Sequence, residues 1–137
     1  MPEIVRTASL VPDDRREGFL PALFGMPLLI IAENTVYSFM DRLSPHDYGG
    51  GFWDFYEYRG KPLFLAPTSR PRLRIEGEIT GFRGDVSADA AGILATLLAL
   101  SHLSIRYESE LLAQRYYRLR VYSLRHPEAS EISQVLD

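Results

Sequence analysis

The sequence contains no cysteine, one lysine and no large excess of either charge. Without cysteine there are no disulfides and no thiolate chemistry, which fits a reducing compartment. With 18 acidic against 15 basic residues the formal net charge is −3. Duplex DNA carries about one charge per 1.7 Å of axis, so this balance cannot imitate it, and a general DNA binder shows a basic excess instead. No long apolar run is present. Ala22–Ala32 and Ala90–Leu100 span 11 residues each, and the first is interrupted by Gly25 and Pro27. Both are too short to cross a bilayer. The start, MPEIVRTASL, lacks the basic and apolar regions of a secretory signal. The expectation is a cytoplasmic protein of one domain, residues 1–137, since 137 residues with 46% hydrophobic content can bury a core. Of the 15 basic residues only Lys61 is lysine. Arginine favours planar carboxylate and phosphate partners, but a GC-rich genome gives the same bias.

The pattern predicts an α+β domain in which a small antiparallel sheet of three to four strands packs against several helices, one of them buried. Val5–Leu10 reads as a short strand or extended arm. Pro12, Asp13 and Asp14 open a helix to about Leu23, ended by Gly25 and Pro27. Val36, Phe39, Met40 and Leu43 form one apolar stripe on a helix from Glu33 to Leu43, stopped by Ser44-Pro45. Aromatic Phe52–Tyr58 and apolar Leu63–Ala66 form a hairpin around Arg59-Gly60-Lys61. Arg72–Glu76 and Glu78–Arg83 read as a second hairpin hinged at Gly77, or one bent strand. Ser87 caps a helix from Ala88 to about Leu103 that is apolar nearly all round and therefore central. An amphipathic helix from Glu108 to about Leu124 and a short one over Glu128–Leu136 complete the chain.

The stretch SPHDYGGGFWDFYEY, from Ser44, is the most unusual. Gly49–Gly51 could cradle a phosphate, but no Gly-Lys-Ser/Thr follows, and the glycines lie between a helix and a strand. A sharp turn is the preferred reading. Alternation puts Trp53, Phe55 and Glu57 on one strand face and Phe52, Asp54, Tyr56 and Tyr58 on the other. The second face is either covered or a recognition surface for a protein. Asp47, Asp54 and Glu57 argue against the basic groove that base stacking needs. Arg70, Arg72 and Arg74 could hold phosphates, yet Glu76 and Glu78 continue that face and favour cross-strand ion pairs. Arg115, Arg118, Arg120 and Arg125 read as a solvated helix face. His46, His102 and His126 fall on separate elements, and neither His-Glu-x-x-His nor Gly-x-Ser-x-Gly occurs.

Several blocks together resemble the ArdB/KlcA antirestriction family. They are Thr7–Gly25, YSFMDRLSPHDYGGGFWDFYEY from Tyr37, PLFLAP from Pro62, GFRGDVSADAAGILATLLAL from Gly81, and RYYRLRVYSLRHPEASEISQVLD from Arg115. The most specific are the Tyr-Gly-Gly-Gly-Phe-Trp block and GFRGDVSADAAG. The resemblance implies a small cytoplasmic α+β protein of plasmids, phages or genomic islands that lets incoming DNA escape type I restriction. It implies no cofactor and no catalytic residues. Its partner would be the type I restriction enzyme or a host factor controlling it, with no membrane and no strong DNA binding. The alternatives are a small metal-dependent nucleic-acid hydrolase using His46, Asp47 and Asp54, or a regulatory DNA-binding protein. Three candidate places for partner binding follow: the rim His46, Asp47, Tyr48, Trp53, Asp54 and Tyr56; the corner Arg83–Asp85; and the terminal carboxylates of Asp137. The corner also reads as a local ion pair with helix capping, and Asp137 as a frayed end.

Overall fold

The computed structural model describes residues 7–137. Val5 and Arg6 of the expected first strand lie outside them; its remainder is β1, Ser9–Leu10. The chain continues through a 3-10 turn, Asp13–Gly18, into α1, Phe19–Phe24, then a 3-10 turn, Met26–Leu28, and α2, Leu29–Leu43. Strands β2, Trp53–Tyr58, and β3, Lys61–Pro67, are followed by β4, Arg72–Glu76, and β5, Arg83–Ser87. Three helices end the chain: α3, Ala88–Arg106; α4, Glu110–Ser123; and α5, Ala129–Leu136. The architecture is α+β.

The strands divide between two antiparallel sheets, β1-β2-β3 and β4-β5, where one sheet was expected. In the first, Arg59 (φ 52°) and Gly60 (φ 76°) form the two-residue loop joining β2 to β3. Positive φ at both positions matches the right-handed strand twist. In the second, Leu73 and Ile75 point inward, so Arg72, Arg74 and Glu76 face out. The expected partner strand over Glu78–Arg83 is displaced. Residues 77–82 are the connecting turn, and the strand is Arg83–Ser87, with Arg74 opposite Asp85 and Glu76 opposite Arg83. The turn is closed by backbone bonds from Gly77 N–H to Phe82 O at 2.8 Å and from Gly81 N–H to Gly77 O at 2.9 Å, and the Glu78 carboxylate on it accepts from Arg42 on α2, at 3.0 and 2.8 Å.

The buried side chains form one core cluster around α3. Ser87 Oγ accepts the Ala90 N–H at 3.1 Å, and Asp89 complements the positive helix end. α3 has the length and apolarity of a membrane span, yet its residues from Ala90 to Leu97 are buried by protein. It lies so close to β3 that a Cβ on Gly92 would stand 2.5 Å from Ala66 Cα. Next to this contact the buried Thr96 hydroxyl reaches both Leu65 N–H and C=O at 3.4 Å.

Arginines fasten the outer elements. Arg16 lies between the Phe52 and Phe55 rings, 4.4 and 4.1 Å from their centroids, and donates to Trp53 O at 2.8 Å. The α4 arginines are not simply solvated. Arg115 donates to Ala22 O, Arg118 to Pro62 O, and Arg120 to Ser123 and Ser133.

Candidate partner-binding site

The predicted residues fall into four places. The first is a cleft of about 470 Å³ lined by His46, Arg74, Glu76, Arg83, Gly84 and Asp85. It joins the loop after α2 to the outer face of the β4–β5 hairpin, so His46 and the Arg83–Asp85 corner, distant in sequence, share one concavity. The loop is held there by two contacts. Buried Ser44 donates to Arg74 O at 2.7 Å, and Asp47 Oδ2 accepts the Arg74 N–H at 2.8 Å. These satisfy the Arg74 N–H and C=O, backbone groups that a free strand edge would otherwise leave unpaired. Asp47 Oδ1 also lies 3.6 Å from Arg70.

The cleft carries both signs of charge. Glu76 Oε1 is 3.5 Å from His46 Nε2, while Arg74 and Arg83 make no ion pair among the described residues. The expected cross-strand ion pairs do not form. Instead Arg72 donates to Asp85 O at 3.0 Å, and Glu78 pairs with Arg42, whose hydrogen bonds hold the Glu78 carboxyl below its usual range. Gly84 leaves room for the Phe82 ring, whose Cζ would be 3.0 Å from a Cβ at that position.

The second place is the pair Tyr48 and Trp53, neither of which lines the cleft. Trp53 is 3% exposed and donates its indole N–H to Tyr48 OH at 3.0 Å. Trp53 is therefore core, touching the rim through half-buried Tyr48. Burial raises the Tyr48 hydroxyl above its ordinary value. Burial, followed by the nearby Glu33 carboxylate, pushes Tyr37, beside Trp53, up to about 12. Gly50 (φ 91°) and Gly51 (φ 107°) turn the chain between this loop and β2 in backbone conformations that favour glycine.

The third place is the opposite face of β2. Tyr56 stacks on buried Phe64, 4.8 Å between centroids, and Phe64 contacts Tyr122 of α4. Tyr56 is thus half-covered, and Asp54 lies opposite Ala66. The fourth is Asp137, whose Oδ2 lies 3.5 Å from Arg120 of α4 and which does not line the cleft. No three His, Asp or Glu side chains gather in metal-ligand geometry among the described residues, so His46, Asp47 and Asp54 form no such group.

Sequence reasoning set His126 aside as remote from the other histidines and assigned it no role. Its side chain is 7% exposed, with Nε2 2.6 Å from Asp89 Oδ2 and Nδ1 accepting the Glu128 N–H at 2.9 Å. Glu128 in turn accepts from Ser87 N–H at 2.9 Å. This chain of contacts locks the α4–α5 corner onto the start of α3. The local signal was the His126-Pro127-Glu128 turn, but its partners lie 37 and 41 residues away.

A family model described as "Antirestriction protein" matches residues 46–137. Antirestriction protein KlcA of Escherichia coli is 42% identical over 135 residues, covering 96% of this chain and 94% of the relative. A second KlcA of Escherichia coli is 39% identical over 136 residues, covering 95% and 92%. The chain belongs to the antirestriction protein family. More particularly, its fold is that of a solved structure of the KlcA and ArdB proteins, matched with a TM-score of 0.86 and 41% identity over 100% of this chain and 99% of that one. Those proteins were described as having a novel fold and antirestriction activity against Type I DNA restriction systems in vivo but not in vitro. The family is defined by antirestriction and not by a known enzyme activity.

Proposed function

We propose that this antirestriction protein relieves type I restriction of incoming DNA by binding a protein in the cytoplasm, and that the His46–Asp85 cleft is its contact surface. The observation that carries this reading is the mixed charge of the cleft. Arg74 and Arg83 alternate with Asp85 and Glu76 on one hairpin face. A DNA mimic needs one sign repeated at the spacing of phosphates, and a DNA-binding groove needs the opposite sign repeated. An alternating surface suits the mixed surface of a folded protein.

The partner is the restriction enzyme at a place other than its DNA groove, or a host factor controlling that enzyme. Activity in vivo but not in vitro in KlcA and ArdB supports the second route. The protein acts without catalysis of its own. A hydrolase built on His46, Asp47 and Asp54 has little support, because Asp47 is committed to Arg74 N–H and Arg70 and the three do not converge.

The test is the plating efficiency of unmodified phage on a host with an active type I system, with and without the protein, and on a host lacking the restriction gene. A rise confined to the restricting host is expected. No rise with soluble, folded protein contradicts the activity. Clean competition with DNA for the purified enzyme contradicts the mechanism.

A further inference from the structure

Two arginines on α4 stand without a counter-charge. Arg115 donates from Nη2 to Ala22 O at 3.4 Å, and Arg118 from Nη2 to Pro62 O. Neither makes an ion pair among the described residues. The Nε–H of each is sealed from solvent with no acceptor. Their own helix supplies no carboxylate. Three and four residues away, where helical side chains meet, stand Leu111, Leu112, Gln114, Leu119, Val121 and Tyr122, beside the two arginines themselves.

This arrangement works against stability. Burial first, and then the nearby Arg115 charge, lowers the Arg118 guanidinium from its ordinary value. A charge held partly out of water beside a like charge is unfavourable, and an unfilled buried donor adds to the penalty. The contacts to Ala22 O and Pro62 O need a donor at each position. They do not need two positive charges.

Both arginines border one concavity. Ala22 and Pro62, whose carbonyls they hold, line a cleft of about 590 Å³ between the Asp13–Gly18 turn, α1 and the β2–β3 loop. The ionisable residues lining it are Asp14, Arg15, Glu17 and Glu57. Arg15 holds both oxygens of Glu57, at 2.9 and 2.7 Å, so that pair is neutral. Asp14 and Glu17 make no ion pair among the described residues and leave the turn negative. Lys61, next to Gly60, is the remaining cation at the hairpin. The cleft therefore has carboxylates on its turn and guanidiniums at its α4 border.

That polarity selects among anions. Two guanidiniums suit the planar acceptors of a carboxylate or a phosphate. Asp14 and Glu17 repel a polyanion such as nucleic acid, and the second charge of a phosphate, while a singly charged carboxylate meets the least of that repulsion. We propose that Arg115 and Arg118 bind a glutamate or aspartate side chain of a partner protein at the edge of this cleft. The site is separate from the His46–Asp85 cleft and does not rest on the antirestriction reading.

The test follows the arginine Nε–H signals of the isotope-labelled full chain by NMR, at neutral pH and constant ionic strength. The probe is a terminally blocked Gly-Glu-Gly peptide, with Gly-Gln-Gly as its neutral counterpart. Inorganic phosphate and a single-stranded oligonucleotide are titrated separately. The Glu peptide should move the Arg115 and Arg118 signals along one saturation curve. Arg15 and Arg42, already paired with carboxylates, should stay in place. Arg118→Gln should weaken binding read at Arg115 at least about tenfold, and Arg115→Gln should do the same read at Arg118. Lys61→Gln should leave both curves unchanged. The wild-type titrations decide the matter even if a variant fails to fold. No saturable shift at the pair, an equal response to the Gln peptide, or loss of binding in Lys61→Gln overturns the proposal. So does tighter binding of phosphate or of the oligonucleotide, which would make the ligand a phosphate group or a nucleic acid. No restriction assay enters these measurements, so their failure is separable from failure of the antirestriction reading.

Discussion

Asp47 Oδ2 accepts the backbone N–H of Arg74 at 2.8 Å. This contact, with Ser44 on the Arg74 carbonyl, fixes the loop after α2 against β4 and gives the cleft its wall. Asp47→Ala removes the acceptor and the Arg70 pairing together. It should cost about 1–2 kcal/mol in urea unfolding, the scale of a charged hydrogen bond lost at a partly exposed site. Asp47→Asn keeps an oxygen for the Arg74 N–H and should recover part of that loss.

Gly92 sets the distance between α3 and β3. Gly92→Ala places a methyl group against Ala66 and the Leu65 carbonyl, backbone that cannot rotate away. The cost of overpacking, about 1–3 kcal/mol, outweighs the helix propensity that alanine adds, about 1 kcal/mol. A lowered thermal midpoint checks this; a raised one would mean that the helix moves off the sheet without penalty.

His126→Ala should destabilise by about 2–3 kcal/mol, because it leaves the Glu128 N–H and the Asp89 carboxylate without their partner in a half-buried corner. His102→Ala is the control. His102 is exposed and makes no hydrogen bond among the described residues, so it should change stability by no more than about 0.5 kcal/mol.

The acid limb of stability follows from two ion pairs. Hydrogen bonds from Arg15 lower the Glu57 carboxyl, and those from Arg42 lower Glu78. A carboxyl depressed by folding contributes stability above its unfolded value and loses it as pH falls through the folded one. Stability should thus decline from just above pH 4.5, the ordinary carboxyl value, downward. The loss should be small because exposed pairs are weak. Glu57→Gln/Glu78→Gln should flatten this part of the stability–pH curve; an unchanged slope would assign acid sensitivity to other groups.

Much of this fold was legible because its signals are local. The Ser87 cap, the all-round apolar pattern after it and the aromatic strand each predict their element from a few neighbouring residues. What escaped depends on distant partners. Glu78–Arg83 has strand-like alternation, yet backbone bonds from Gly77 N–H to Phe82 O and from Gly81 N–H to Gly77 O close a turn there that leaves Ile79 99% exposed, and the strand begins at Arg83. α2 starts four residues before the expected Glu33 because a 3-10 turn, and no capping side chain, leads into it. For the site, residue types pointed to His46, Asp47 and the Arg83–Asp85 corner. The meeting of His46 with that corner in one cleft, the hold of Asp47 on the Arg74 N–H, and the burial of Trp53 follow from tertiary packing that no local pattern encodes.

The most direct test of the account is the plating efficiency of unmodified phage on a type I restricting host expressing Arg74→Glu, Arg83→Glu or the double variant. Both positions are exposed, so each protein should remain folded with a near-native thermal midpoint. The account predicts stepwise loss of protection, partial for each single variant and nearly complete for the pair, as expected when several residues share a contact surface. Full protection by the folded double variant would contradict it and remove the cleft from the antirestriction mechanism.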